Sequence, residues 1–179
     1  MWDETKQIEI CRGNEGSGGN SGLITVKIEE VLFPGKNPNM NEVEKYLNDS
    51  LEYEYLVKET NDVIKIGSKF ASEFCGSTYT KKLKGALLKA KANSAQIIPG
   101  LIENATNRRW VENKEPKHAL NAKLGWYRYD VCFSLPVVFD GKKSVNCYKA
   151  TLVARINDNG IYLHDVVNIK KEDSNPFES

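Results

Sequence analysis

The sequence has no long apolar run. Nothing in its 179 residues approaches the roughly 20 consecutive apolar positions of a membrane helix, and no apolar segment follows a basic start. Neither a membrane partner nor a secretory signal is therefore expected, and the cytoplasm is the predicted location. Cysteine is sparse: Cys11, Cys75, Cys132 and Cys147 lack the paired spacing of a zinc site and read as small apolar residues in a reducing compartment. On that reading the N-x-S/T matches at Asn48 and Asn104 are chance. The glycine-rich stretch of residues 12–22 lacks the Gly-Lys-Ser/Thr ending of a phosphate loop. No carboxylate cluster stands in the basic part of the chain, so no metal and no cofactor are expected. Histidine is scarcest of all the reactive residues, with only His118 and His164.

Charge is plentiful but uneven. The net charge of +1 conceals −6 over residues 1–77, +8 over 78–129 and −1 over 130–179. A basic block of this kind is the footprint of a polyanion, because each lysine or arginine placed at a phosphate releases condensed counterions. The competing reading is that the acidic N-terminal part folds back and neutralises it.

Residues 1–22 have linker composition and are predicted to be a flexible tail. Residues 23–172 form one predicted domain, and 173–179 a frayed end. Within the domain, Ile24–Phe33 reads as a strand, ended by Pro34-Gly35. Asn39 is placed to cap a helix carrying Val43, Tyr46, Leu47 and Leu51 on its apolar side. Strands follow at 52–58 and 63–66, joined by Thr60-Asn61-Asp62. A long basic helix is predicted over Lys81–Ile98, with Leu83, Leu87, Ala90, Ser94 and Ile97 as its buried stripe and Lys82, Lys89 and Lys91 on its solvated arc. Pro99-Gly100 breaks or kinks it. Trp126–Val138, Val145–Ile156 and Ile161–Ile169 then read as an antiparallel meander, with turns at Asp140-Gly141 and Asn159-Gly160. The fold class is α+β, with helices on one face of the sheet.

The segment Lys114–Tyr129 gathers most of the chemistry: His118, three lysines, Arg128 and the aromatic residues Trp126, Tyr127 and Tyr129. Strand alternation puts Tyr127, Tyr129, Val131, Phe133 and Leu135 on one face and Arg128, Asp130, Cys132 and Ser134 on the other. In the last strand it puts Ile161, Leu163, Asp165 and Val167 opposite Tyr162, His164, Val166 and Asn168. A sheet face bearing His, Tyr, Arg and Lys suits a phosphodiester. Metal-independent RNA cleavage needs a base for the 2′-hydroxyl, an acid for the leaving 5′-oxygen, cations for the phosphorane and a surface on which bases stack. His118, His164, Lys117, Arg109, Arg128 and Tyr162 are the candidates for the chemistry. Lys82, Lys89, Arg108, Trp126 and Tyr127 are the candidates for holding nucleic acid. Each also has a structural reading: a strand histidine bonded to its neighbour, an Arg108-Arg109 pair closing a helix, aromatic residues packed at a sheet edge.

Several strings resemble a module of bacterial phages and mobile elements. They are Gly-Ser-Thr-Tyr-Thr-Lys-Lys-Leu-Lys-Gly (76–85), Lys-Ala-Asn-Ser-Ala-Gln-Ile-Ile-Pro (91–99), Ala-Thr-Asn-Arg-Arg-Trp (105–110), Glu-Asn-Lys-Glu-Pro-Lys-His (112–118), Gly-Trp-Tyr-Arg-Tyr (125–129) and Ile-Tyr-Leu-His-Asp-Val-Val-Asn-Ile-Lys-Lys-Glu (161–172). Such modules occur in large polyvalent proteins and are similar to the barnase, EndoU, colicin and RelE-like ribonuclease fold. The resemblance covers about residues 60–172. It implies helices followed by an antiparallel sheet with the active site on one face, and RNA as the partner. It favours Lys117, His118, Arg109, Tyr127 and Arg128, with Tyr162 and His164 on the last strand. The module often has tyrosine where this chain has His164, which shifts the implied chemistry toward His118 with its lysine and arginine neighbours. An adaptor or anti-defence protein that grips nucleic acid or a host protein without turnover is the alternative.

Overall fold

A computed structural model describes residues 8–9 and 23–172. The rest of the predicted N-terminal tail, Cys11 included, and the predicted frayed end lie outside the described residues. The fold is α+β, as expected: the described residues form five short helices and eight strands, β1 Ile8–Glu9, β2 Thr25–Lys27, β3 Glu54–Leu56, β4 Val63–Lys65, β5 Thr106–Val111, β6 Trp126–Phe139, β7 Lys142–Asn157 and β8 Gly160–Lys171. They form one sheet in the order β1-β2-β6-β7-β8-β4-β3, with β5 also on the β6 edge. The sheet is mixed rather than antiparallel, because β2 runs parallel to β6 and β4 parallel to β8. Ile8 and Glu9 pair with Val26 and Thr25, so part of the predicted tail belongs to the sheet.

The predicted meander is the centre of the fold. Asp140 and Gly141, both at positive φ, turn β6 into β7, and Asp158-Asn159 joins Asn157 to Gly160. Tyr129, Val131, Phe133 and Leu135 point into the core together with Leu152, Ala154, Leu163 and Val166. Helices cover this face with Phe70, Phe74, Ala90, Ile97, Ile98 and Leu101. In α1 (Met40–Ser50), Asn39 caps the first turn by accepting from the Asn41 amide, and Val43 and Leu47 are buried, as the sequence pattern requires.

The long basic helix is not continuous. Its stretch divides into α3 (Thr78–Lys82), α4 (Gly85–Ser94), a 3-10 turn at Ala95–Ile97 and α5 (Ile98–Glu103). Leu83 and Lys84 are extended and Gly85 takes φ +60°, a conformation glycine adopts without steric cost. Pro99 opens α5 rather than ending a helix, because in a first turn its missing N–H has no partner to lose. The chain also forms α2 (Phe70–Gly76), which no strong periodicity signals. Arg108 and Arg109 sit on β5, not at a helix end.

Lys91 is the largest departure from the predicted pattern. It is 0% exposed, paired with Asp165, and also donates to the Val166 carbonyl. Burial pulls the Lys91 ammonium below its ordinary pKa despite the pull of Asp165. The Phe74 and Tyr79 rings lie 4.2 and 5.3 Å from its Nζ. An apolar arc was not needed to bury it; a carboxylate and two ring faces were enough.

β8 does not alternate as predicted. Leu163 faces Ala154 while Asp165 faces Val153, so His164 is an extra residue at a bulge. A second irregularity follows near Asn168, which has φ +53°. The first shift returns Val166 to the core, against the predicted alternation, and leaves His164 on the opposite side.

No helix among the described residues is long and apolar enough to cross a membrane. Cys75, Cys132 and Cys147 form no disulfide, and burial pushes the Cys75 thiol up to about 12.

Candidate active site

Opposite the helix-covered face lies a cleft of about 750 Å³. Its floor comes from β6, β7 and β8, one wall from the α2–α3 corner, and the other from the loop after β5. Gly125 sets where the floor begins. It has φ +98°, and a Cβ there would lie 2.7 Å from the Val111 carbonyl oxygen and 2.6 Å from Trp110 Nε1. Only glycine lets β6 start this close to β5.

Asn113 organises the loop wall. Its Oδ1 accepts from the Glu115 amide and from Trp126 Nε1, and its Nδ2 donates to the His118 carbonyl. His118 then ends a 3-10 turn begun by Pro116. Its Nδ1 lies 3.1 Å from Asn121 Oδ1, and its Nε2 lies 3.6 Å from a Glu115 oxygen.

The chain's only two histidines meet here. Ring centroids of His118 and His164 are 5.5 Å apart, and Trp126 touches both edge-on, at 5.1 and 4.9 Å. His164 Nδ1 is 3.0 Å from Glu73 Oε2, which also accepts from Arg155 at 3.0 Å. Burial alone would raise the Glu73 carboxyl, but the His164 hydrogen bond and the Arg155 charge outweigh it and hold the carboxyl below its usual range. Glu73 thus fixes the orientation of the His164 ring and leaves Nε2 for a ligand. Arg128 forms part of the floor, and Lys117 borders the cleft from the loop.

The remaining predicted residues lie elsewhere. Arg109 is opposite Arg128 across the β5–β6 ladder, but its guanidinium turns to Asp130 at 2.9 Å. Arg108 pairs with Asp62 at 2.8 Å and lies over the Tyr127 ring, on the core side of β6. Asp62 also accepts from the buried Tyr129 hydroxyl. Tyr162 packs beside Arg155 and Lys65, outside the lining of the cleft. Lys82 and Lys89 do not line it either. One acidic residue of the N-terminal part, Asp62, thus pairs with the basic block, at Arg108.

Glu73 and Asn113 escaped the sequence reading. A glutamate on a seven-residue helix carries no spacing signal. The clue for Asn113 was its position three residues before Pro116, where an asparagine side chain caps a turn. Among the described residues no three His, Cys, Asp or Glu side chains gather as metal ligands would.

No family model, curated protein or solved structure matches this chain. The chemistry of the cleft has to come from its own residues.

Proposed function

We propose that the chain is a metal-independent, ribonuclease-like domain of a phage or mobile element, acting on RNA in the bacterial cytoplasm. One observation carries the reading: both histidines meet in one cleft, and one of them is oriented by a carboxylate. That is the acid–base arrangement needed to move a proton at neutral pH. The local strings that resemble mobile-element modules are in keeping with it.

In this reading neutral His164 takes the 2′-hydroxyl proton through Nε2 while Glu73 stabilises the imidazolium that forms. The 2′-oxygen attacks phosphorus, and His118 donates a proton to the departing 5′-oxygen, giving a 2′,3′-cyclic phosphate and a free 5′-hydroxyl. Arg128 and Lys117 offset the negative charge that grows on the non-bridging oxygens. The principal role passes to His164, because both nitrogens of His118 already have neighbours. Incubation with RNA in excess chelator tests the reading: cleavage is expected, and His164→Gln and His118→Gln should each slow it by about 10²–10⁴-fold. Intact RNA with the unmodified protein would remove the enzyme reading.

A non-catalytic grip on a host protein is favoured by one observation. Trp110, Val111, Leu120 and Leu124 are exposed near the loop wall, where Trp110 Nε1 donates to the Leu124 carbonyl. A patch of this kind suits a protein partner. Capture of a host protein that is lost with Trp110→Ala, together with uncut RNA, would establish it.

A further inference from the structure

Two surfaces remain that the cleft does not use, and they lie at opposite ends of the sheet. The first is the tip of the β6–β7 hairpin. Among the described residues, β2 accompanies β6 as far as Ser134, and the end of β8 accompanies β7 as far as Cys147, whose carbonyl accepts from the Glu172 amide. From Leu135 and Asn146 outward the two strands pair with each other, up to Phe139 opposite Lys142. The projecting ribbon ends in Val138 and Phe139, which are 73% and 78% exposed, flanked by Lys142 and Lys143. A two-stranded ribbon with an exposed apolar tip gains by docking.

The second surface is the groove beside β3. β3 ends the sheet. The Ile66 amide donates to the Tyr53 carbonyl and the Val57 amide to the Asp62 carbonyl, so the backbone groups of Glu54 and Leu56 point away from β4. On that side lies a groove of about 530 Å³ bordered by Tyr46, Tyr55, Leu56, Glu52 and Glu54. Glu103 also borders it but is paired with Lys58 at 2.8 Å. Among the described residues Glu52 and Glu54 have no such lysine or arginine partner. This end is acidic, apolar and open along a strand edge.

We propose that these two surfaces are partners: the hairpin tip of one copy of this chain docks in the β3 groove of a second copy. Phe139 enters between Tyr46 and Leu56, and Lys142 and Lys143 meet Glu52 and Glu54. The match is one of charge sign and apolar content, and it is intermolecular by geometry. The groove joins the sheet near Ile161–Tyr162, whereas the hairpin leaves from the far end of β7. That separation is on the order of 40 Å at 3.3 Å per residue, so a chain cannot fill its own groove. Contacts between two different surfaces make a head-to-tail assembly, which grows or closes into a ring rather than stopping at a dimer. The inference is independent of what the cleft does.

Sedimentation velocity of the full chain over a wide concentration range tests it. Species larger than dimers are expected, weakened at least about tenfold by 0.5 M salt. Phe139→Asp should abolish them from the hairpin side, and Leu56→Asp from the groove side. Equimolar mixing of those two variants leaves one intact junction, so dimers and nothing larger should form. A Lys142→Glu/Lys143→Glu variant should be rescued by mixing with Glu52→Lys/Glu54→Lys, which also answers the objection that a single variant has misfolded. A monomer at every concentration overturns the proposal, as does assembly that neither variant set disturbs. Loss of RNA binding with Phe139→Asp in a protein that is always monomeric would assign the hairpin to nucleic acid instead and overturn it too.

Discussion

His164 and Asp165 are adjacent in β8 and are used in opposite ways. Asp165 is buried with Lys91, and its oxygen is also bonded to the Val166 amide. His164 faces the cleft, held on one nitrogen by Glu73 and unpartnered on the other. Both residues border the cleft at the bulge in β8, but Asp165 is closed over by Lys91 whereas His164 stays half-open to it. A charge that is fully enclosed is committed to the fold. An imidazole held on one side only keeps a nitrogen for a ligand. The two neighbours, each bonded to one opposite partner, therefore predict different responses to mutation.

The largest expected effect is on turnover. His164→Gln should slow RNA cleavage by about 10²–10⁴-fold, the range for losing a general acid–base group, while the melting temperature moves little. Next comes the fold. Asp165→Ala should lower unfolding free energy by about 3–5 kcal/mol, because it strands the Lys91 ammonium in the core; urea denaturation measures this. Replacing both partners, Lys91→Met with Asp165→Leu, should recover most of that loss. If Asp165→Ala leaves stability unchanged, the two residues are not as different as they look.

Acid titration separates the two sites further. Glu73 is held below its usual pKa in the folded protein, so its contribution is complete above the ordinary glutamate value of about 4.3. It is lost as pH falls through the lowered folded value. Lys91 is also lowered, so the unfolded chain binds its proton more tightly. Stability should therefore rise with pH between the folded value and about 10.4. Glu73→Gln should flatten the acid limb and Lys91→Met the alkaline one, in denaturation midpoints measured against pH. Smallest of all, Arg108→Ala should cost about 0.5–1 kcal/mol at a partly exposed pair and leave cleavage within about twofold, because Arg108 lies on the other side of β6.

The central meander was legible because period-two alternation and two tight turns act locally. The Asn39 cap was legible for the same reason. Lys91 was not, since nothing near it in sequence announces Asp165, 74 residues away. The break in the predicted helix turns on Gly85, which stands among lysines and leucines that favour a helix. At the site, His118, His164, Arg128, Trp126 and Lys117 do come together. Arg109, Arg108, Tyr127 and Tyr162 drop out, because ion pairs and strand faces direct them elsewhere. Glu73 could be found only in three dimensions: it reaches His164 from a helix 91 positions earlier.

The most direct test is the single-turnover rate of RNA cleavage in chelator for Glu73→Gln against the unmodified chain, with folding followed by circular dichroism. If Glu73 orients His164 for proton transfer, the rate should fall at least about tenfold across neutral pH while the folded signal persists. An unchanged rate in a folded Glu73→Gln protein would contradict the account.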